Sequence, residues 1–238
     1  VVRTDTNQTL KTHTDSYSLI PYEESFTNFN NELNSSGLDL TGMHVNTDLT
    51  HDGGRIFRQY VLPAHSLQVG DEWLALRIIM FNSYDGSCSF RGMAGAYQFV
   101  CANTSVIGFD ITRQTRRHSG NTVDDIPAII ANVVEQADQF MQFQPRLTAM
   151  AMTEMDPRDG YGFIQNLPVS EAHHDRIFTK WQTESPDETQ SLFSLWSAMT
   201  SWSTHGVKGE NAAATRSVRE NMVSRVIDAD SWRTLEAA

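Results

Sequence analysis

The run from Trp73 to Phe81 is the feature of this sequence that most restricts its fold. Its residues are apolar apart from Arg77, and both of its alternating sets of side chains are bulky. Successive side chains of a β-strand point to opposite faces of the sheet, so such a run is typical of a central strand that is buried on at least one face. The sequence therefore predicts a sheet built around this strand.

Two further β-like runs precede the central strand. Turn residues at Asp52-Gly53-Gly54 and a loop from Pro63 to Gly70 separate the three runs, which predicts an antiparallel meander over 42–49, 55–62 and 72–81. The stretch over 90–108 is apolar and rich in small residues, which is compatible with either a helix or a strand. A last strand is expected at 106–112, before a polar loop over 113–121.

Helical periodicity marks the rest of the chain. Phe26, Phe29 and Leu33 predict a short amphipathic helix, and a longer helix follows from Thr122. Its apolar stripe comprises Ile126, Ile129, Ile130, Val133, Val134, Ala137, Phe140 and Met141. After a turn at 156–162 we expect three helices, at about 170–181, 187–205 and 211–235.

These elements predict an α+β fold with an antiparallel sheet, a long helix packed on it and a C-terminal helical annex. The first residues are polar and unpatterned, which is typical of a flexible arm. We therefore expect an arm at 1–14, a core domain at 15–155 and a helical region at 156–238 packed on that core.

Charge is distributed unevenly along the chain. The net charge is −11, which argues against a protein coated with positive charge, yet the segment from Arg55 to His118 contains seven arginines and four acids. Arginine outnumbers lysine throughout, a bias that suits bidentate or stacking recognition of anions as well as a simple compositional origin. Within the second predicted strand, Arg55 and Arg58 are candidates to line a working surface.

Several function classes lack their sequence signals. The chain has only two cysteines, no apolar run of membrane-spanning length and no nucleophile elbow, Walker A loop, dinucleotide fingerprint or zinc-protease motif. His173-His174-Asp175 lacks the spacing of metal ligands, because adjacent helical residues point about 100° apart. We therefore expect no cofactor, no metal, no catalytic residue and no membrane partner, and a reducing cytoplasm as the location.

Two polar clusters are candidate sites. The first is Asn82-Ser83-Tyr84-Asp85-Gly86-Ser87, which reads either as a hairpin turn or as a rim in which Asn82 and Asp85 orient Arg91 for an anion. The second is a basic loop that reads either as solvated surface or as a phosphate-binding lip beside the helix N-terminus at Thr122. Its residues are Arg113, Arg116, Arg117 and His118, followed by Ser119-Gly120-Asn121.

The order of these clusters resembles the phage/plasmid-like protein family, a domain of unknown function (nine-three-two). The resemblance depends on the cluster at 82–87, on Phe99-Val100-Cys101-Ala102-Asn103 and on Arg117-His118-Ser119-Gly120-Asn121, and it covers about residues 15–205. Tyr84 stands where the family often has His. The family supplies no settled activity but implies a phage or plasmid context near replication and recombination. The order of helix, antiparallel strands and long helix is also similar to the core of ring-forming single-strand annealing proteins.

Together these observations predict a homo-oligomeric, non-catalytic protein that binds or anneals single-stranded DNA in the host cytoplasm. Arg55, Arg58, Arg91, Arg113, Arg116, Arg117 and His118 would contact phosphates, supported by Asn82, Asp85, Asn103 and Asn121. One alternative is a phage interaction module whose acidic surface engages a protein. Another is a metal-dependent nuclease, for which the candidate acids are Asp48, Asp85 and Asp110.

Overall fold

An antiparallel meander forms the centre of the molecule. The computed structural model describes residues 1–98, 104–105, 114–118, 122–184, 190–208 and 212–237. Four strands pair in chain order, and the short β5 and β6 both pair with β4. The strands are β1 (His44–Thr50), β2 (Arg55–Val69), β3 (Glu72–Ser83), β4 (Phe90–Gln98), β5 (Thr104–Ser105) and β6 (Gln114–Arg116). The predicted meander is confirmed, and the ambiguous stretch after residue 90 begins as a strand.

Strand β2 is longer than the sequence indicated. The loop predicted from Pro63 to Gly70 is wrong, because β2 pairs with β3 as far as Val69, with a register shift between Leu62 and Ser66. A bulge accommodates Pro63, which has no N–H to donate to a ladder. Gly70, with φ of +58°, then makes the tight turn into β3.

Two helices cover one face of the sheet. They are α1 (Tyr22–Ser35) and α2 (Thr122–Asp138), both predicted by the periodicity. The apolar stripe predicted through Met141 runs past α2 into a 3-10 helix at Gln139–Phe143. Phe29 of α1 packs against Tyr60 of β2 with ring centroids 4.5 Å apart. Small residues let α2 approach β4 closely, since a Cβ on Gly92 would lie only 2.6 Å from Val133.

The C-terminal region is helical, with more breaks than the sequence predicted. Its helices are α3 (Gln144–Met152), α4 (Pro157–Gln165), α5 (Glu171–Glu184), α6 (Leu192–Thr204), α7 (Ala212–Asp228) and α8 (Asp230–Glu236). The turn predicted at 156–162 is wrong. Asp156 caps α4 by accepting a hydrogen bond from Arg158 N at 2.7 Å, and Gly160 lies against the ring of Trp181. Aspartate and glycine are typical of turns, but here Asp156 caps a helix and Gly160 lets two helices pack closely.

One cluster of buried side chains joins the two predicted regions. It extends from Ile20 and the helix-covered face of the sheet to Trp181, Trp196 and Trp232 in the C-terminal helices. These helices therefore pack on the core, while the division at residue 155 itself stays a prediction. Within the described ranges, no helix combines the length and the apolar character needed to cross a bilayer.

Helix α7 reaches the other face of the sheet. Its Glu220 carboxylate lies 3.3 Å from the guanidinium of Arg77 on β3, and both side chains are buried. One turn earlier, Arg216 lies 3.3 Å from Asp48 on β1, in a pair that is much more exposed. The two ion pairs fix α7 across β1 and β3.

Candidate functional site

The turn between β3 and β4 is held by a network of side chains. The Asp85 carboxylate accepts hydrogen bonds from the Ser87 amide, at 2.9 Å, and from the Ser87 hydroxyl. Arg55 Nε donates to the Ser87 hydroxyl and lies 3.4 Å from Asp85 Oδ2. Arg55 therefore braces the turn from the start of β2, and Asp85 is already neutralised by that cation.

The N-terminal segment packs directly on this turn. His13 Nε2 donates to the Tyr84 carbonyl at 2.8 Å, and a Cβ on Gly86 would lie 2.9 Å from His13 Cε1. Farther back, Arg3 donates to the Asp52 carbonyl. Residues 1–14, predicted as a flexible arm, thus lie against the sheet end through specific contacts, while the mobility of the arm stays a prediction.

Three rings stack in a ladder beside the turn. The ring centroids of His13 and Tyr17 are 3.7 Å apart, and those of Tyr17 and His118 are 5.1 Å apart. The Tyr17 hydroxyl donates to the Ser83 carbonyl at 2.9 Å, and burial raises the pKa of Tyr17 to about 12. Tyr17 therefore stays protonated and connects the arm to the end of β3.

His118 is the innermost ring of the ladder. It is 8% exposed, and its Nδ1 donates to the Ser18 carbonyl at 3.1 Å. Burial lowers the pKa of His118, although the carbonyls of Ser18 and Cys88 act in the opposite direction. The lowered pKa favours the neutral imidazole, so His118 is a weaker source of positive charge for a ligand than the arginines of the cleft.

A cleft of about 580 Å³ opens between the arm, the turn and the chain entering α2. Lys11, Arg91 and Arg117 contribute its positive charge, and Asp85 is the only acid among the described residues that line it. The Arg91 guanidinium lies over the ring of Phe81, 4.8 Å from the ring centroid, in a cation–π contact that holds it in place. Cys88 also lines the cleft, and burial raises the pKa of its thiol, so it is not poised as a thiolate nucleophile.

A family model matches residues 9–229. The chain belongs to the family described as domain of unknown function DUF932. This confirms the resemblance drawn from the sequence motifs. No curated protein and no solved structure matches the chain.

Two of the three motifs that indicated the DUF932 family meet at the cleft. Asp85 and Gly86 come from the first motif, and Arg117 and His118 from the third, although about 30 residues separate them along the chain. In this member of the DUF932 family, Tyr84 does not line the cleft. Its ring stacks on Tyr22 at the start of α1, with centroids 3.7 Å apart.

The predicted phosphate contacts fall into separate groups. Arg91, Arg117 and His118 lie together at the cleft, and Arg55 adjoins it through Asp85 and Ser87. Arg58 lies apart on the helix-covered face, where its guanidinium is 4.7 Å from the ring centroid of Phe26. Arg113 lies outside the described residues, as does the side chain of Arg116, whose backbone forms part of β6.

The predicted supporting residues divide in the same way. Asn82 is fully buried, where it donates from Nδ2 to the Ile20 carbonyl at 3.0 Å and accepts from Ser83 N at 2.8 Å. It holds the N-terminal segment to β3 rather than facing the cleft. Asp85 lies at the cleft, whereas Asn103 and Asn121 lie outside the described residues.

Three cleft residues from the N-terminal segment were missed from the sequence. Lys11, His13 and Tyr17 belong to a polar segment with no periodic pattern. The hydrogen bonds of His13 and Tyr17 reach Tyr84 and Ser83, 71 and 66 positions away. The only local signal is the presence of two rings, four residues apart, in an otherwise aliphatic-poor stretch.

Of the acids proposed for a metal-dependent nuclease, the two that the structure describes lie in separate ion pairs. Asp48 pairs with Arg216, Asp85 pairs with Arg55, and Asp110 lies outside the described residues. In the part of the chain that the structure describes, no group of three or more His, Cys, Asp or Glu side chains could hold a metal ion.

Proposed function

We propose that this protein binds single-stranded nucleic acid, with single-stranded DNA as its ligand, and that the cleft holds backbone phosphates. The observation that carries the proposal is the concentration of Lys11, Arg91 and Arg117 around one cleft in a chain of net charge −11. Fixed cations in a recess attract phosphate groups, and the net negative charge of the chain opposes that attraction elsewhere.

The cleft offers two kinds of contact to a strand. Arg91 and Arg117 present guanidinium groups that can bond a phosphate with two parallel hydrogen bonds, and Arg91 is preoriented by Phe81. His13 and the edge of the Tyr17 ring supply aromatic surface in the cleft wall, since His13 and His118 cover the two faces of Tyr17. Positive charge interleaved with rings is the usual combination in proteins that bind single strands without sequence preference.

The size of the cleft favours a single strand over a duplex. A volume of about 580 Å³ is within the range of small-ligand pockets, so it admits one or two nucleotides of a flexible strand. We place the phage context, a role in recombination or replication, a location in the host cytoplasm and a non-catalytic action within the same proposal. Their support is the sequence resemblance described above.

Fluorescence anisotropy with labelled single-stranded and duplex DNA across a salt series tests this proposal. The double variant Lys11→Ala/Arg117→Ala removes two exposed cations from the cleft. Each phosphate contact on a single strand contributes about 0.7 to the slope of log affinity against log salt, so the slope should flatten by about 1.4. Affinity should fall alike for all sequences, because phosphates carry no sequence information.

A matched control makes the same change in charge elsewhere. Arg158 on α4 and Lys208 after α6 are exposed and do not line the cleft, so Arg158→Ala/Lys208→Ala should bind as the parent does. Absence of binding by the parent at low salt would overturn the proposal and favour the protein-interaction alternative. Equal losses in the two double variants would overturn the assignment of the cleft. Cleavage of the labelled strand in magnesium would contradict the non-catalytic action.

A further inference from the structure

Strand β1 ends the sheet with an open edge. It pairs with β2 on one side, and no described strand pairs with its other side. His44, Val45, Asn46 and Thr47 are all exposed. Among the described residues, the edge therefore presents backbone N–H and C=O groups that no strand pairs, which is a template for pairing with another strand.

The same strand exposes two apolar side chains. Val45 is 43% exposed and Leu49 is 61% exposed. They lie opposite Tyr60 and Ile56 of β2, which are buried on the helix-covered face of the sheet. The apolar face of the sheet thus continues onto β1 beyond the cover that the helices supply.

We propose that β1 pairs antiparallel with β1 of a second copy of this chain, with Thr47 on the two-fold axis. A symmetric interface must be self-complementary, because each residue faces its counterpart around the axis. In this register Val45 faces Leu49 of the second copy and Asn46 faces Asp48, so each apolar residue meets another and no like charges oppose each other. The two apolar pairs would close the exposed strip on the helix-covered face.

The neighbouring registers are less favourable. Directly opposite residues of two antiparallel strands point to the same face of the sheet. A two-fold axis perpendicular to the sheet must therefore pass between one residue of β1 and the same residue of the second copy. An axis at Asp48 would place two carboxylates directly opposite each other, which is destabilising. An axis at Asn46 would place Val45 opposite Thr47 and Leu49 opposite Met43, which precedes β1 and already packs against the core of its own chain. Only the axis at Thr47 pairs Val45 with Leu49.

Light scattering coupled to size exclusion measures the mass of the full chain in solution. The mass of one chain is 26.8 kDa, and the parent should give about twice this mass, as expected of a dimer. Thr47→Lys places two ammonium groups opposite each other at the axis and should give the mass of one chain. Thr27→Lys adds the same charge on the exposed face of α1 and should leave the dimer intact.

Cysteine cross-linking tests the register itself. Thr47→Cys brings two thiols together at the axis, so mild oxidation should give a covalent dimer. Asn46→Cys places its thiol opposite Asp48 and should not cross-link above the parent, which retains its natural cysteines. A parent that stays at the mass of one chain at every concentration, or a mass that Thr47→Lys does not lower, would overturn the proposal. Preferential cross-linking at residue 46 would overturn the register. None of these readouts depends on nucleic-acid binding.

Discussion

Tyr22 and Tyr84 form a reciprocal pair in which each hydroxyl lies at the backbone amide of the other residue. Their rings stack with centroids 3.7 Å apart and planes 1° apart. The Tyr84 hydroxyl accepts from Tyr22 N at 2.8 Å, and the Tyr22 hydroxyl accepts from Tyr84 N at 3.2 Å while donating to the Gly53 carbonyl. Pro21 offers no side-chain cap, so Tyr84 satisfies the first free N–H of α1.

Removal of the Tyr84 hydroxyl should destabilise the protein. Tyr84→Phe keeps the stacked ring but leaves the Tyr22 amide without its acceptor, which should cost about 1 kcal/mol in free energy of unfolding. Urea denaturation followed by circular dichroism measures the change. Tyr161→Phe removes a hydroxyl that bonds the exposed Asp175, and it should change stability by much less. Equal effects of the two variants would contradict the capping role of Tyr84.

Gly86 should resist substitution more strongly than Gly70. Both have positive φ, of +68° and +58°, so an added Cβ strains both by about 1 kcal/mol. Only Gly86→Ala also meets His13, whereas a Cβ on Gly70 has no neighbour within 4 Å. We expect Gly86→Ala to lower the free energy of unfolding more than Gly70→Ala does, and to weaken nucleic-acid binding by displacing His13. Equal free energies of unfolding for the two variants would show that His13 can move away from residue 86 without loss of stability, which would contradict the prediction.

The two ion pairs of α7 should differ sharply in their energetic effect. Glu220→Ala leaves Arg77 buried beside an empty space, which should cost about 3 kcal/mol or more in free energy of unfolding. Arg216→Ala on the same helix breaks an exposed pair with Asp48 and should cost less than about 1 kcal/mol. Chemical denaturation of both variants measures the difference. A cost for Arg216→Ala as large as that for Glu220→Ala would refute the ranking by burial.

Stability should fall on acidification below the ordinary pKa of histidine. The folded chain holds the pKa of His118 below that value, so the unfolded chain binds more protons as pH falls through about 6.5. Neighbouring His13 acts in the same direction, while Asp85 opposes it. One such histidine changes the free energy of unfolding by at most about 1.4 kcal/mol per pH unit. This slope applies only below the pKa that the histidine has in the unfolded chain.

Two variants separate the histidines that carry this dependence. His118→Phe keeps a ring against Tyr17 but cannot titrate, so its unfolding free energy should vary less between pH 7 and pH 5 than that of the parent. Desolvation also lowers the pKa of His173, though this residue is more exposed. His173→Gln should therefore flatten the profile only slightly. An unchanged slope in His118→Phe would rule out His118 as the source.

The sheet and the long helix could be predicted because their signals are local. Alternation around Trp73–Phe81 and the stripe from Ile126 to Met141 each fix a period, and the structure buries most of the residues they indicate. Trp73 and Met141, at the ends of these two patterns, are exposed. Pro63 and Asp156 misled the prediction, because a bulge and a helix cap use the same residue types as a turn. Which use applies depends on partners that are distant in sequence.

The cleft could be predicted only in part. Asp85, Arg91, Arg117 and His118 stood out as clusters of charge beside turn residues, and the structure brings them together. The sequence did not predict that the arm lines the cleft, since nothing near His13 indicates that this residue packs against Gly86. Arg58 carries the same charge as Arg91, but the alternation of the strand turns it toward α1. Residue type alone does not distinguish these two arginines.

The long-range contacts of the arm and of the residues just after it have a consequence for folding kinetics. The hydrogen bond from His118 to Ser18 spans 100 residues, and that from His13 to Tyr84 spans 71. Contacts of such separation require a large loop to close, so we expect them to form after the hairpins of the meander. Detachment of the arm is then a local opening that removes one wall of the cleft while the sheet persists. Ligand binding would therefore report the last step of folding, and hydrogen exchange in the arm should slow when the cleft is filled.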